Sequence, residues 1–137
     1  MKRFLSFVTA TTLLIACSKN PITGRNQLAI LNEAELQQMA AQEYQTFLSQ
    51  NRVVSANSSR DAEMVRRVGN RLVSAINQYY AQQNLSSELA NYQWEFNLVA
   101  ANEVNAWAMT GGKTVVYTGL LPITQNEAAL AVVMGHE

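Results

Sequence analysis

Two stretches in the first half of the chain carry apolar residues at the three- and four-residue spacing of a helix with one buried face. The first begins at Asn32, whose side chain can cap free backbone N–H groups while Glu35 reaches back. The second follows a polar loop at residues 57–59. We expect both apolar faces to pack into a core; they consist of Leu36, Met39, Ala40, Tyr44, Phe47 and Leu48 in the first helix and Val65, Val68, Leu72, Ile76 and Tyr79 in the second.

The spacing changes to strict alternation in residues 93–98. This pattern predicts a strand with one wet face, formed by Gln93, Glu95 and Asn97, and one buried face, formed by Trp94, Phe96 and Leu98. A second strand is predicted at Thr114–Thr118, between the Gly111-Gly112 pair and Gly119, with a loop at residues 102–107 before it.

The last predicted helix opens with a Thr124-x-x-Glu127 capping box. Its residues 128–134 are apolar on every side, which predicts full burial. The resulting order of helix, helix, strand, strand, helix indicates an α+β fold.

The first 16 residues have the layout of a secretory signal peptide, because Lys2 and Arg3 precede a short apolar run that ends in small residues. The run leads into Leu14-Ile15-Ala16-Cys17, which resembles the bacterial lipobox, where cleavage precedes a lipid-modified cysteine. The alternative is a free thiol near an uncleaved anchor. It is disfavoured because Cys17 is the only cysteine and stands at the cleavage position.

Export and lipidation of Cys17 predict a protein of the bacterial cell envelope that reaches the membrane through this residue. Ser18 and Lys19 follow the cysteine where an aspartate would favour the inner membrane, and by resemblance to enterobacterial sorting rules we expect the periplasmic face of the outer membrane. Residues 17–31, which include a stretch rich in Ser, Asn, Pro and Gly, are interpreted as a lipid-anchored tether.

Removal of the signal peptide leaves 121 residues, enough for one modest domain, with eight basic side chains against ten acidic ones. This slight acidity argues against nucleic acid as a partner. Arg66, Arg67 and Arg71 are interpreted as the solvated face of the second helix.

The chain closes with His136 and Glu137, directly after the apolar run. A buried imidazole and carboxylate need partners, because an unpaired buried polar group costs on the order of 2–7 kcal/mol. Metal coordination is one such partnership: in the His-Glu-x-x-His pattern two histidines of one helix face bind Zn²⁺ and the glutamate acts as general base. His136 and Glu137 match the first two residues of this pattern, and we expect the chain to end inside an active-site helix.

Two longer segments, NAWAMTGGKTVVYTGLL at residues 105–121 and NEAALAVVMGHE at residues 126–137, together resemble the HtpX/Oma-type family of zinc metalloendopeptidases. The segment NPITGRNQL at residues 20–28 is similar to the periplasmic lipoprotein branch of that family. The resemblance implies that residues 32–137 are the N-terminal part of a zincin-like metalloprotease domain. Thr110 departs from the pattern, because the family commonly has proline there, and a proline would stiffen the loop.

The resemblance implies that His136 is a ligand of one zinc ion and that Glu137 is the catalytic general base. It also implies that extended or unfolded polypeptides bind along the Thr114–Thr118 strand by backbone hydrogen bonds. The implied substrate-binding residues are Asn105, Ala106, Trp107, Gly111, Gly112, Thr114, Val115, Val116 and Tyr117. Such a protease would cleave misfolded or unassembled envelope proteins. The alternative function is that of a lipoprotein chaperone, or an assembly factor for outer-membrane proteins, which binds extended chains without cleaving them.

Overall fold

The computed structural model describes residues 17–20, 22–28 and 32–137 of the 137-residue chain. The signal-peptide prediction for residues 1–16 lies outside this range. The chain divides into two compact units, residues 1–35 and residues 36–137. In the described part of the chain, no helix combines the length and the apolar character needed to cross a membrane.

The described part of the first unit contains a short hairpin in the segment interpreted as a tether. Strand β1 (Cys17–Lys19) pairs antiparallel with β2 (Asn26–Leu28). The Asn20 side chain closes the connecting turn by accepting hydrogen bonds from the backbone N–H groups of Ile22 and Thr23 at 3.0 and 2.9 Å. Six residues of the tether segment, Cys17–Lys19 and Asn26–Leu28, are therefore paired strands, and its role as a tether stays a prediction.

Helix α1 (Glu33–Gln50) begins where the sequence predicts, because the Asn32 side chain accepts a hydrogen bond from the backbone N–H of Glu35 at 2.8 Å. In the second unit, the two-residue strand β3 (Val53–Val54) follows α1. Helix α2 (Arg60–Gln82) begins after Ser59, whose hydroxyl caps it through the N–H of Ala62. A single 3-10 turn (Ser86–Leu89) then leads to the main sheet.

Four strands form this sheet in the order β3-β4-β6-β5. Strand β4 (Glu95–Val99) and strand β6 (Lys113–Tyr117) are parallel neighbours. Strands β3 and β5 (Ala106–Met109) pair antiparallel with them at the two edges. The mixture of helices and sheet confirms the predicted α+β class. Strands β3 and β5 were not predicted, and two of the four residues of β5, Ala106 and Trp107, lie in the stretch expected to be a loop.

Both faces of the sheet are covered. On one face, α2 and the last helix, α4 (Glu127–His136), pack against the apolar side chains of β4, β5 and β6. On the other face, α1 places Tyr44, Phe47 and Leu48 against Val99 and Val115. The prediction of one wet face is therefore wrong for Glu95 and Asn97, since α1 covers the side that carries them, whereas Gln93 before the strand is exposed as predicted. The N-terminal half of α1 extends past this contact, and Met39 there is 60% exposed rather than part of the core.

The start of α4 differs from the predicted capping box. A short helix, α3 (Leu121–Thr124), ends at Gln125, which has a left-handed φ of 62°. Helix α4 then begins after Asn126, whose side chain accepts from the N–H of Ala129 at 2.9 Å. Thr124 is buried, and its hydroxyl donates to the carbonyl of Leu121. Asn126 is therefore the capping residue, because Thr124 belongs to the preceding helix.

Candidate active site

Helix α4 brings His136 and Glu137 to one end of the sheet. Leu130 and Met134, four residues apart on one side of the helix, are buried in the core shared with α2. Val132 on another side is 73% exposed, so the expectation that α4 is buried on every side is wrong for the residues described. Burial of one side fixes how the helix is rotated, and with it the place of the two polar residues at its end.

Ionic contacts hold the first turn of α4 to α2. Arg67 donates to Glu127 through its Nε atom at 3.1 Å and through a second, shorter contact, and Arg71 Nη1 lies 3.5 Å from Glu127 Oε2. The hydrogen bond from Arg67 lowers the pKa of Glu127 below its usual value. Arg67 and Arg71 are exposed, as predicted for a solvated helix face, but they also orient the helix that carries the candidate site.

His136 is exposed, with 85% of its side chain accessible, and its Nδ1 atom lies 3.4 Å from Glu137 Oε1. The expectation that this imidazole is buried is therefore wrong. Among the residues that the structure describes, no three His, Cys, Asp or Glu side chains are grouped so that they could hold a metal ion. His136 is the only histidine of the sequence. The described residues therefore offer at most one imidazole ligand and do not by themselves form a zinc site.

Glu137 lines a cavity of about 350 Å³ between α2, the end of α4 and the sheet. Gly112 and Thr114, which the sequence predicted to bind substrate, form part of its wall. Gly112 has a φ of 85°, and a Cβ atom there would lie 2.6 Å from the Trp94 ring, so this position requires glycine. The remaining wall includes side chains that the sequence analysis had assigned only to cores or strands: Leu72, Ile76, Trp94, Phe96 and Met134.

The other predicted substrate-binding residues lie elsewhere. Trp107, Val115 and Tyr117 belong to the cluster on the α1 face of the sheet, opposite α4. Ala106 and Val116 are in the core under α2 and α4, and a Cβ atom on Gly111 would lie 3.4 Å from the Gln37 side chain of α1. Asn105 is exposed at the start of β5, where its side-chain amide donates to Glu103. The cavity therefore unites only Gly112, Thr114 and Glu137 of the predicted set.

The pairing of the sheet shows which strand can accept a peptide. Strand β6 pairs with β4 on one side and with β5 on the other, so the expected peptide addition along Thr114–Thr118 is wrong. Strand β5 lies at the edge of the sheet. In an antiparallel pair, residues whose backbone groups bond to the partner strand alternate with residues whose groups point away from it. Asn105 is of the first kind, because its C=O accepts from the N–H of Tyr117 on β6. The N–H and C=O groups of Ala106 and Ala108 therefore point away from β6. On the β5 side of the sheet the edge is therefore accessible at Ala108, which is exposed, whereas Ala106 is buried.

Comparison with known proteins gives a consistent result. The sequence pattern described as peptidase family M48 matches residues 59–137. The chain is 22% identical to a protein of Danio rerio named "Metalloendopeptidase OMA1, mitochondrial", over 97% of this chain and 27% of that protein. It is 42% identical to the "Mitochondrial metalloendopeptidase OMA1" of Arabidopsis thaliana, over 38% of this chain and 11% of that protein. It is 27% identical to the "Metalloprotease YcaL" of Escherichia coli strain K12, over 99% of this chain and 52% of that protein. The chain thus spans about half the length of YcaL and about a quarter of the Danio rerio relative.

Proposed function

The chain belongs to peptidase family M48, and from this premise we propose that the protein is a zinc metalloendopeptidase that cleaves extended or unfolded polypeptides. The observation that carries the proposal is the position of Glu137, which lines a cavity beside the sheet and lies next to His136 at the end of a helix anchored in the core. The relatives named metalloendopeptidase or metalloprotease support it.

In this proposal Glu137 is the general base, which takes a proton from the attacking water and transfers it to the leaving amine. His136 supplies one zinc ligand through a ring nitrogen. When bound, the metal would polarise the scissile carbonyl. The His136 side chain is 85% exposed, and the 3.4 Å contact between its Nδ1 atom and Glu137 Oε1 keeps the carboxylate beside the imidazole.

The substrate lies in an extended conformation along the edge of β5. The outward-facing backbone groups of Ala108, which is exposed, would pair with the peptide backbone, and such pairing requires little of the peptide's sequence. The side chain of Ala108 is a single methyl group, so it does not obstruct an approaching strand. Backbone pairing requires an unfolded segment in the substrate, and this favours misfolded or unassembled proteins as the substrate class.

We further propose that the protein is anchored through lipid on Cys17 and acts in the bacterial cell envelope, at the periplasmic face of the outer membrane. The support is the Leu14-Ile15-Ala16-Cys17 sequence behind a short apolar run, together with similarity to a protein of Escherichia coli. With this location, the proposed substrates are envelope proteins.

The test of the proposed chemistry uses the full-length protein and two single substitutions. Glu137→Gln should retain zinc, because Glu137 is not a ligand, but should cleave unfolded casein about 10²–10⁴-fold more slowly because the general base is lost. His136→Ala should lose both zinc and activity. Glu43→Gln, a carboxylate on the exposed side of α1, is the matched control and should behave as the parent.

Zinc content is measured by elemental analysis and cleavage by the release of labelled casein fragments. Parent-like cleavage by Glu137→Gln would contradict the proposed chemistry. A parent protein that binds unfolded casein without cutting it would instead favour the alternative function of a chaperone or assembly factor.

A further inference from the structure

An ion pair between a buried lysine and a partly exposed glutamate joins β6 to β4. Lys113, the first residue of β6, is only 6% exposed, although its side chain carries an ammonium group. Its Nζ atom lies 3.2 Å from Glu95 Oε2 on β4 and 5.9 Å from the centre of the Tyr44 ring on α1. A buried charge without a partner is costly in free energy. The ammonium group of Lys113 is therefore held beside Glu95, because any other buried position would leave it unpaired.

The ion pair continues into a chain of hydrogen bonds that ends on the backbone of β6. The Asn97 amide donates to Glu95 Oε1 at 3.0 Å and to the Tyr44 hydroxyl at 3.1 Å. The Tyr44 hydroxyl in turn donates to the carbonyl of Thr114 at 2.9 Å. This polar network, formed by Tyr44, Glu95, Asn97 and Lys113, has no unsatisfied buried side-chain atom among the described residues. It joins α1, β4 and β6.

The same tyrosine also holds the edge strand. Its ring meets Trp107 of β5 edge to face at 6.0 Å, and Phe47 meets Trp107 in the same way at 4.9 Å. The Trp107 indole N–H donates to the Tyr117 hydroxyl at 3.2 Å. Tyr44 therefore contacts β5 through its ring and β6 through its hydroxyl. The two strands are paired with each other, and Met109 lies opposite Lys113 at the last rung.

We propose that the polar network positions strand β5 for the peptide substrate, with Tyr44 and Lys113 as positioning residues that do not touch the substrate. The inference rests on the proposed function, since it concerns the same peptide-binding edge. Strand β5 is four residues long and is paired on one side only, so its own ladder determines its position weakly. The network restrains β5 from the face opposite α4. A peptide that pairs with its outer edge then meets backbone groups already in place, which lowers the entropic cost of binding.

The test compares the full-length parent with Tyr44→Phe, Lys113→Met and the double variant. Tyr44→Phe removes only the hydroxyl and keeps the ring contacts, and Lys113→Met removes the charge at similar volume. We expect each to raise the KM for a fluorogenic peptide taken from a casein cleavage site by about three- to tenfold with kcat retained, because a hydrogen bond contributes about 0.5–1.5 kcal/mol. The two effects should be less than additive in the double variant. Gln45→Ala, on the exposed side of α1 beside Tyr44, is the matched control.

A second readout requires no activity. In the Tyr44→Phe protein, hydrogen exchange should accelerate in residues 106–117 and stay unchanged in α2 and α4. A merely structural role predicts a different result: exchange accelerates throughout the domain, kcat falls with the amount of folded protein, and KM stays constant. That result, or an unchanged KM in both single variants, would overturn the inference. Parent-like cleavage by Glu137→Gln would overturn the proposed chemistry instead, and the exchange result would still decide whether the network holds β5.

Discussion

Burial changes the pKa of the Tyr44 hydroxyl in the polar network. Its side chain is completely buried, and desolvation raises the pKa of its hydroxyl to about 12, although the hydrogen bond from Asn97 acts in the opposite direction. In the unfolded chain the same group titrates near 10. Above pH 10 the unfolded state therefore loses a proton that the folded state keeps until about pH 12, and the unfolded state is stabilised relative to the folded one.

This difference predicts the alkaline stability of the protein. The contribution of Tyr44 to the free energy of unfolding should be constant below pH 10 and should decrease by about 1.4 kcal/mol per pH unit between pH 10 and 12. Urea unfolding of the parent and of Tyr44→Phe at pH 8, 10 and 11.5 measures it, because groups other than Tyr44 titrate equally in both proteins. The loss of stability from pH 10 to 11.5 should be larger in the parent. Equal losses in the two proteins would show that the hydroxyl ionises normally.

Local rules predict some single residues and fail for others. Asn32 caps α1 as expected, because capping depends on the three residues that follow it. The rule fails at Thr124, since the left-handed backbone at Gln125 ends one helix and moves the next start to Asn126. No local rule indicated that Lys113 is buried, because its partner Glu95 is 18 residues away in the sequence and adjacent only in the sheet.

At the scale of elements, the approach of α2 to β4 depends on a glycine inside a helix. A Cβ atom on Gly69 would lie 2.3 Å from Cγ of Phe96, which is far inside van der Waals contact. Phe96 packs against the core, so its ring could yield only by moving toward the cavity that it lines. The helix consequently lies closer to the strand than a larger residue would allow.

Gly69→Ala tests this packing, because helix propensity and the clash with Phe96 change the stability of the protein in opposite directions. Helix propensity alone would stabilise the variant by roughly 1 kcal/mol. The clash with Phe96 should outweigh it and destabilise the protein by about 1–3 kcal/mol net, as overpacking does in other cores. Gly135→Ala is the matched control in α4, where the new Cβ would meet Leu72 at an ordinary 3.7 Å, and it should leave stability unchanged or raise it. Urea unfolding of the full-length protein distinguishes the cases. A stabilised Gly69→Ala protein would show that the helix and strand separate easily.

The long helices and the five-residue strands β4 and β6 were predicted, whereas the shorter strands β3 and β5 were not. Helices α1 and α2 have 18 and 23 residues, so the apolar spacing repeats over several turns. Strand β5 has four residues, which is too short for a clear alternation, and two of them are alanine, which is depleted in strands. It is a strand because β6 supplies its hydrogen-bond partners. This information is not present in the local sequence.

At the scale of the whole molecule, the fold sorts the predicted substrate-binding residues by side of the sheet. Successive residues of a strand point to opposite faces, so a continuous run such as Thr114–Tyr117 cannot line one site. Thr114 accordingly lines the cavity beside Glu137, whereas Val115 and Tyr117 face α1. The sequence predicted the residues at the end of α4. It could not predict the cavity, because the walls come from helices α2 and α4 and from strands β4, β5 and β6, which only the tertiary fold brings together.

The final prediction concerns the attachment of the whole molecule to a membrane. If Cys17 carries lipid after cleavage of residues 1–16, Cys17→Ala should abolish labelling by a palmitate analogue and leave a precursor that is 16 residues longer than the mature protein. Several acyl chains on one cysteine bind a bilayer stably, whereas one chain binds only marginally, so the parent should resist extraction with high salt. Ser18→Ala is the matched control and should be labelled and processed as the parent. Labelling of Cys17→Ala to the parent level, with processing at the same position, would show that the lipobox resemblance is accidental.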